Sequence, residues 1–177
     1  MHQKNTNKDV DIVTKYQEKH MKIKDDFYYM NLAIKEAKKS YEIDEVPVGC
    51  VIVKDDIVIA KSHNVREKTN DVFSHAEVIA IKKACKKLNS WKLDGATLYV
   101  TLEPCLMCSG AILQSRIKKV VFATHEPKFG TLGSIINVFD ENNKFNHKVE
   151  IISGVCQEES STLLKNYFKE KRLKNKI

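Results

Sequence analysis

The chain has no run approaching the ~20 apolar residues a membrane-crossing helix needs, so no such helix is expected. Its opening stretch, MHQKNTNKDVDIVTKYQEKH, lacks the apolar core of a secretory signal, and its acidic residues argue against a transit peptide. A cytoplasmic protein is the expectation. Nor is there a disulfide framework, because the five cysteines (Cys50, Cys85, Cys105, Cys108 and Cys156) are odd in number and sparse. In a reducing compartment they are thiols or metal ligands. Cys50, Cys85 and Cys156 each sit among apolar neighbours and read as small buried hydrophobes. No internal repeat is visible, and no second domain.

What is present is a soluble, globular composition. The chain has 177 residues, 42% hydrophobic and 30% charged, enough for one domain with a proper core. The net charge is +7, much of it at the end in Lys165, Lys169, Lys171, Arg172, Lys174 and Lys176. Such a balance fits a polyanionic partner such as nucleic acid. It equally fits a solvated lysine-rich surface.

Residues 1–24 are polar, rich in Lys and Asn and without sustained period, and read as a mobile leader before a domain over 25–177. Met30, Ala33, Ile34, Ala37 and Tyr41 recur at helical spacing and predict a helix over 26–41. Two β-branched runs, 46–53 and 57–60, flank Lys54-Asp55-Asp56 as a hairpin. A polar loop leads to a helix starting near His75, with Ser74 as candidate N-cap. Strands follow at 96–101, 117–123 and 149–152. Between the first two, Pro104 is expected in the first turn of a short helix, and 156–172 forms a closing helix. Strands alternating with helices indicate an α/β sandwich with βαβ crossovers.

In TLEPCLMCSGAIL (101–113) Cys105 and Cys108 stand two residues apart after a proline. Alone, such a pair is a redox dithiol, half of a structural zinc site or part of a catalytic metal site. His75-Ala76-Glu77 opens one helix and Pro104-Cys105-Leu106-Met107-Cys108 another, with a spacing that brings both helix starts to one sheet edge, where α/β proteins bind ligands. One nitrogen and two sulfurs suit tetrahedral zinc and leave a fourth position for water. Thiolates are favoured at a helix N-terminus. No fourth Cys or His follows at short ligand spacing, so the site reads as open and catalytic, with Glu77 moving protons between water and a substrate nitrogen. Together the two motifs match the known signature of zinc-dependent nucleobase deaminases.

The chain resembles the bacterial tRNA-specific adenosine deaminases from about residue 26 to 172. The resemblance rests on EVPVGCVIV (45–53), HN (63–64), HAE (75–77), TLEPCLMCSGAILQSRI (101–117), KFGTLGS (128–134) and NHKVEI (146–151). HAE and PCxxC alone would fit guanine, cytidine or deoxycytidylate deaminases equally well. The surrounding text and Tyr167-Phe168 on a basic last helix resemble the tRNA enzymes. The resemblance implies a homodimer of the cytidine-deaminase fold, a three-layer sandwich with a five-stranded mixed sheet between helices. It also implies hydrolytic conversion of adenosine to inosine at the wobble position of a tRNA anticodon. His75, Cys105 and Cys108 would bind one zinc per subunit, and Glu77 would be the catalytic acid and base. Asn64 would contact the base, Leu102 the pocket wall, Glu126 and Lys128 the neighbouring nucleotides, and Phe168 the anticodon loop. Two departures stand out: the long leader, and Glu126-Pro127, where other members carry different small or acidic residues.

Local readings stand beside these. Asn64 could cap a turn, Tyr167 is expected in the core, and His147 could bond locally. Two other functions are compatible with the zinc motif: deamination of free bases or nucleosides, and a silent zinc protein that binds RNA or a partner. Intact Glu77 counts against the second and the basic last helix against the first.

Overall fold

Gly49 begins the first strand because nothing larger fits: a Cβ there would overlap the Ala33 carbonyl and the Ala37 amide of helix α1 (Asp26–Glu42). The structure is a computed structural model, and residues 24–174 of it are described. Apart from its last residue, the expected leader lies outside them. Asp25 caps α1 by accepting from the Tyr28 N–H at 2.9 Å. Met30, Ala33, Ile34 and Ala37 form its buried stripe, as their spacing predicts.

Strands β1 (Gly49–Lys54) and β2 (Ile57–His63) make the expected hairpin, turning on Asp55 and Asp56, both left-handed with φ of 50° and 58°. Pairing begins at Gly49 rather than at position 46, since Pro47 has no N–H to offer a ladder. β2 runs on to His63, which pairs with Gly49. The polar loop contains one helical turn, α2 (Arg66–Thr69), not foreseen from sequence. The remaining elements are α3 (Ala76–Leu88), β3 (Thr97–Leu102), α4 (Leu106–Gln114), β4 (Lys119–Thr124), β5 (Glu150–Ser153) and α5 (Gln157–Lys174).

The sheet order is β2-β1-β3-β4-β5, with β1 antiparallel to β2 and β3, and β3, β4 and β5 parallel. The strand period of two assigns the core residues. Cys50, Ile52, Leu98, Val100, Val120 and Phe122 meet α3 and α4 on one face. On the other, Val51, Val53, Tyr99, Val121 and Ala123 meet α1. On α5, buried Ser160 donates to the Thr101 carbonyl. This is the five-stranded mixed sheet flanked by helices that was expected. Cys50 is buried, but Cys85 and Cys156 are only half-buried, lying on the margin of α3 and in the turn before α5. The outer strand β2 is covered by lysines of α3. Lys83 Nζ donates to the Lys61 carbonyl at 2.9 Å and Lys87 Nζ to that of Val58 at 3.3 Å. No described helix is long and apolar enough to cross a membrane.

Candidate active site

β2 and β3 run in the same direction, because β1 between them is antiparallel to both. The helices that follow their C-terminal ends therefore start at one sheet edge. Ser62 Oγ fastens that edge by donating to the Ala76 carbonyl at 2.6 Å.

His75 and Cys105 each occupy the N-cap position of a helix, with extended backbone (ψ 149° and 174°) and no capping bond from the side chain. This corrects two expectations. Ser74 is not the cap; its Oγ donates to Asp71 at 2.9 Å. Pro104 lies before α4 rather than in its first turn. The physical reason is common to both: extended backbone at the cap aims that side chain across the helix end. The backbone N–H groups there stay available to favour an anion.

The three side chains converge. His75 Nδ1 lies 3.8 Å from Cys105 Sγ and 3.6 Å from Cys108 Sγ, and all three donor atoms lie within 4.8 Å of one another. An imidazole and two thiols this close, half-buried to buried, fit a tetrahedral zinc ion. The thiols are strongly unequal. Cys105 is held down to about 4, first by its bond with the Cys108 thiol, against the cost of burial, and further by His75. Cys108 is pushed up, first by that bond and then by burial. The cluster thus readily gives up one proton, as a thiolate ligand set must. His75 is raised, chiefly by its bond to Cys105.

Glu77, in the first turn of α3, is 4% exposed, and burial lifts its carboxyl above the ordinary carboxylate range. Asn64 directly follows β2 and is buried; its Nδ2 donates to Glu45 at 3.2 Å and its backbone N–H to the Val48 carbonyl at 2.9 Å. It is thus bonded across the fold, as a held amide rather than as a turn cap. Leu102, at the end of β3, is half-buried against the core. Glu126 and Lys128 occupy the loop after β4, where Glu126 accepts from the Lys128 N–H at 2.9 Å. Phe168 is 45% exposed on α5 and edge-on to Tyr167. Tyr167 is core, its hydroxyl donating to the Asp44 carbonyl at 3.0 Å. His147 bonds to the Ile117 carbonyl at 2.7 Å, a partner 30 residues away rather than a local one. Sequence reasoning passed over Glu45 and Glu103, both buried beside these residues; each stands inside a quoted motif, but the partners that give it a role are distant in sequence.

A profile of the MafB19-like deaminases matches residues 24–172, which puts the chain in the deaminase class. The tRNA-specific adenosine deaminase of Bacillus subtilis is 50% identical over 151 residues, covering 85% of this chain and 93% of that one. That of Aquifex aeolicus is 46% identical over 150 residues, covering 85% and 97%. A solved chain from a study of A-to-I editing by tRNA:A34 deaminases superposes with a TM-score of 0.74 at 42% identity, covering 77% of this chain and 99% of that one. A guanine deaminase from Nitrosomonas europaea, 22% identical with a TM-score of 0.66, shares the fold. The chain belongs to the tRNA-specific adenosine deaminases.

Proposed function

We propose that the protein hydrolyses adenosine to inosine at the wobble position of a tRNA anticodon, with one zinc per subunit on His75, Cys105 and Cys108. The observation that carries this reading is the convergence of those three donors beside buried Glu77, in a chain half identical to a tRNA-specific adenosine deaminase. Zinc, when bound, lowers the pKa of a coordinated water and so supplies the attacking oxygen near neutral pH.

Glu77 does the proton work. Its carboxylate takes a proton from the attacking water and delivers it to adenine N1 as the C6–O bond forms; it then takes the proton of the new C6 hydroxyl and passes it to the amine, so that the C6–N bond breaks and ammonia leaves. The raised carboxyl suits this exchange, since it makes the carboxylate a stronger base toward water and brings its conjugate acid closer to the working pH. Asn64 presents its amide to the base. Leu102 walls the pocket, Glu126 and Lys128 meet flanking nucleotides, and Phe168 stacks against the anticodon loop. A base in that loop is already unpaired, so presenting it costs less than extracting it from a duplex.

The active form is a homodimer in the cytoplasm. What supports the dimer is the exposure of Val72 and Phe73 just before α3, Leu106 at the start of α4, and Ile135 and Ile136 in the loop after β4, apolar side chains that would meet water in a lone copy. Incubation with an anticodon stem-loop carrying a wobble adenosine should yield inosine, with free adenosine a very poor substrate. Comparable kcat/KM for the two would overturn the tRNA reading in favour of a nucleoside deaminase.

A further inference from the structure

Glu103 stands two residues before Cys105 with its side chain fully buried, and five polar groups converge on it. Its Oε1 accepts from the Leu132 N–H at 2.7 Å and the Ser134 N–H at 3.1 Å. Its Oε2 accepts from the Glu126 N–H at 3.0 Å and from the Ser134 hydroxyl, and faces His125 Nδ1 at 3.1 Å. All five belong to the loop 125–134. Gly130 packs against the same carboxyl so closely that a Cβ there would overlap it. Thr131 adds a second fastening, donating from its N–H and its hydroxyl to the Pro104 carbonyl, both at 3.1 Å. One buried carboxylate thus joins the turn bearing two metal-competent thiols to a loop that buries Thr131 and Leu132 but keeps the side chains of its tip outside. Lys128 is exposed and Phe129 is 70% exposed.

A rigid backbone with free polar and aromatic side chains is what recognition without an ordering cost requires. We propose that Glu103 is a positioning residue: it fixes the 125–134 loop against the metal-bearing turn and thereby sets how nucleotides flanking the target base are held. This rests on the reading of the protein as a tRNA deaminase. The role demands a carboxylate. Acceptor-only oxygens, with about four lone-pair sites, can meet the three N–H groups and the Ser134 hydroxyl, whereas an isosteric amide has one acceptor oxygen and turns an NH2 group toward donors at the other site.

The test is Glu103→Gln, with Ser134→Ala as a milder companion that removes one donor and keeps the charge. Binding of the anticodon stem-loop, single-turnover rate at saturating RNA, preference among flanking nucleotides and zinc content are measured for both. Glu103→Gln should weaken stem-loop binding about tenfold and relax the flanking preference, with the saturated rate within about twofold and zinc unchanged. Ser134→Ala should move binding the same way by about threefold; if Glu103→Gln does not fold, this variant carries the test alone. Wild-type binding and preference in the folded variants, or loss of zinc or of saturated rate instead, would overturn the proposal. An unmodified enzyme that makes no inosine would instead refute the functional reading beneath it.

Discussion

Glu45 and Asn64 form a buried pair. Glu45 is fully buried, its Oε2 accepting from Asn64 Nδ2 at 3.2 Å and its Oε1 from the Lys68 N–H at 2.5 Å. The carboxylate fixes which way the Asn64 amide points, because only the NH2 end can donate to it. Glu45→Ala removes an acceptor from Asn64 Nδ2 and from the Lys68 N–H, and should cost about 1 kcal/mol of stability. It should also lower kcat/KM by about tenfold, with zinc retained, as the amide loses its orientation. Urea midpoints and steady-state kinetics check this, and unchanged kinetics would separate Asn64 from base recognition.

Metal content gives the second prediction. Protein purified without added metal should carry one zinc per chain, and Cys105→Ala should lose it. Full occupancy in that variant would refute the ligand set.

Glu77 is not needed as a ligand, so Glu77→Ala should keep both zinc and stem-loop binding. Inosine formation should fall by about 10²–10⁴-fold, the size of a lost general acid and base. Near-normal turnover would refute its proton role.

The basic last helix yields the fourth. Lys171 Nζ is already engaged by Asp44 at 2.7 Å and lies over the Tyr167 ring, and Lys174 approaches Asp44 at 3.7 Å. The charge there is thus not a loose tail: α5 continues in helix through Lys174, while Lys176 lies outside the described residues. Lys169 and Arg172 make no ion pair among the described residues. Replacing both with Gln should flatten the salt dependence of tRNA binding by ~1.4 log units per log unit of salt, at ~0.7 for each phosphate contact. Phe168→Ala should instead cost ~1–3 kcal/mol of affinity with the slope intact. Binding constants across a salt series distinguish the two, and an unchanged slope in the double variant would leave the helix a solvated face.

Much of the scaffold was legible because it obeys local rules. The stripe from Met30 to Ala37 and the turn at Asp55-Asp56 need no distant information. The donor set was legible too, since His75, Cys105 and Cys108 each stand at a helix start that spacing could locate. Local rules failed where the cluster took precedence over them: capping preference favours Ser74, yet the cap is His75. They were silent on Glu45 and Glu103. Lys68 lies 23 residues from Glu45, and Ser134 lies 31 from Glu103, so no local pattern reveals that either carboxylate is a hub.

The lysine-covered rim of the sheet has a consequence for how copies of the molecule can meet. A naked outer strand is a template on which another chain can crystallise its own backbone, the first step toward fibrous deposits. Along β2, the Val58 and Lys61 carbonyls already hold ammonium groups, each of which would have to be peeled away before a foreign strand could zip on. Concentrated solutions should therefore resist growth along that border, and encounters between copies are diverted to the opposite resource, side chain against side chain.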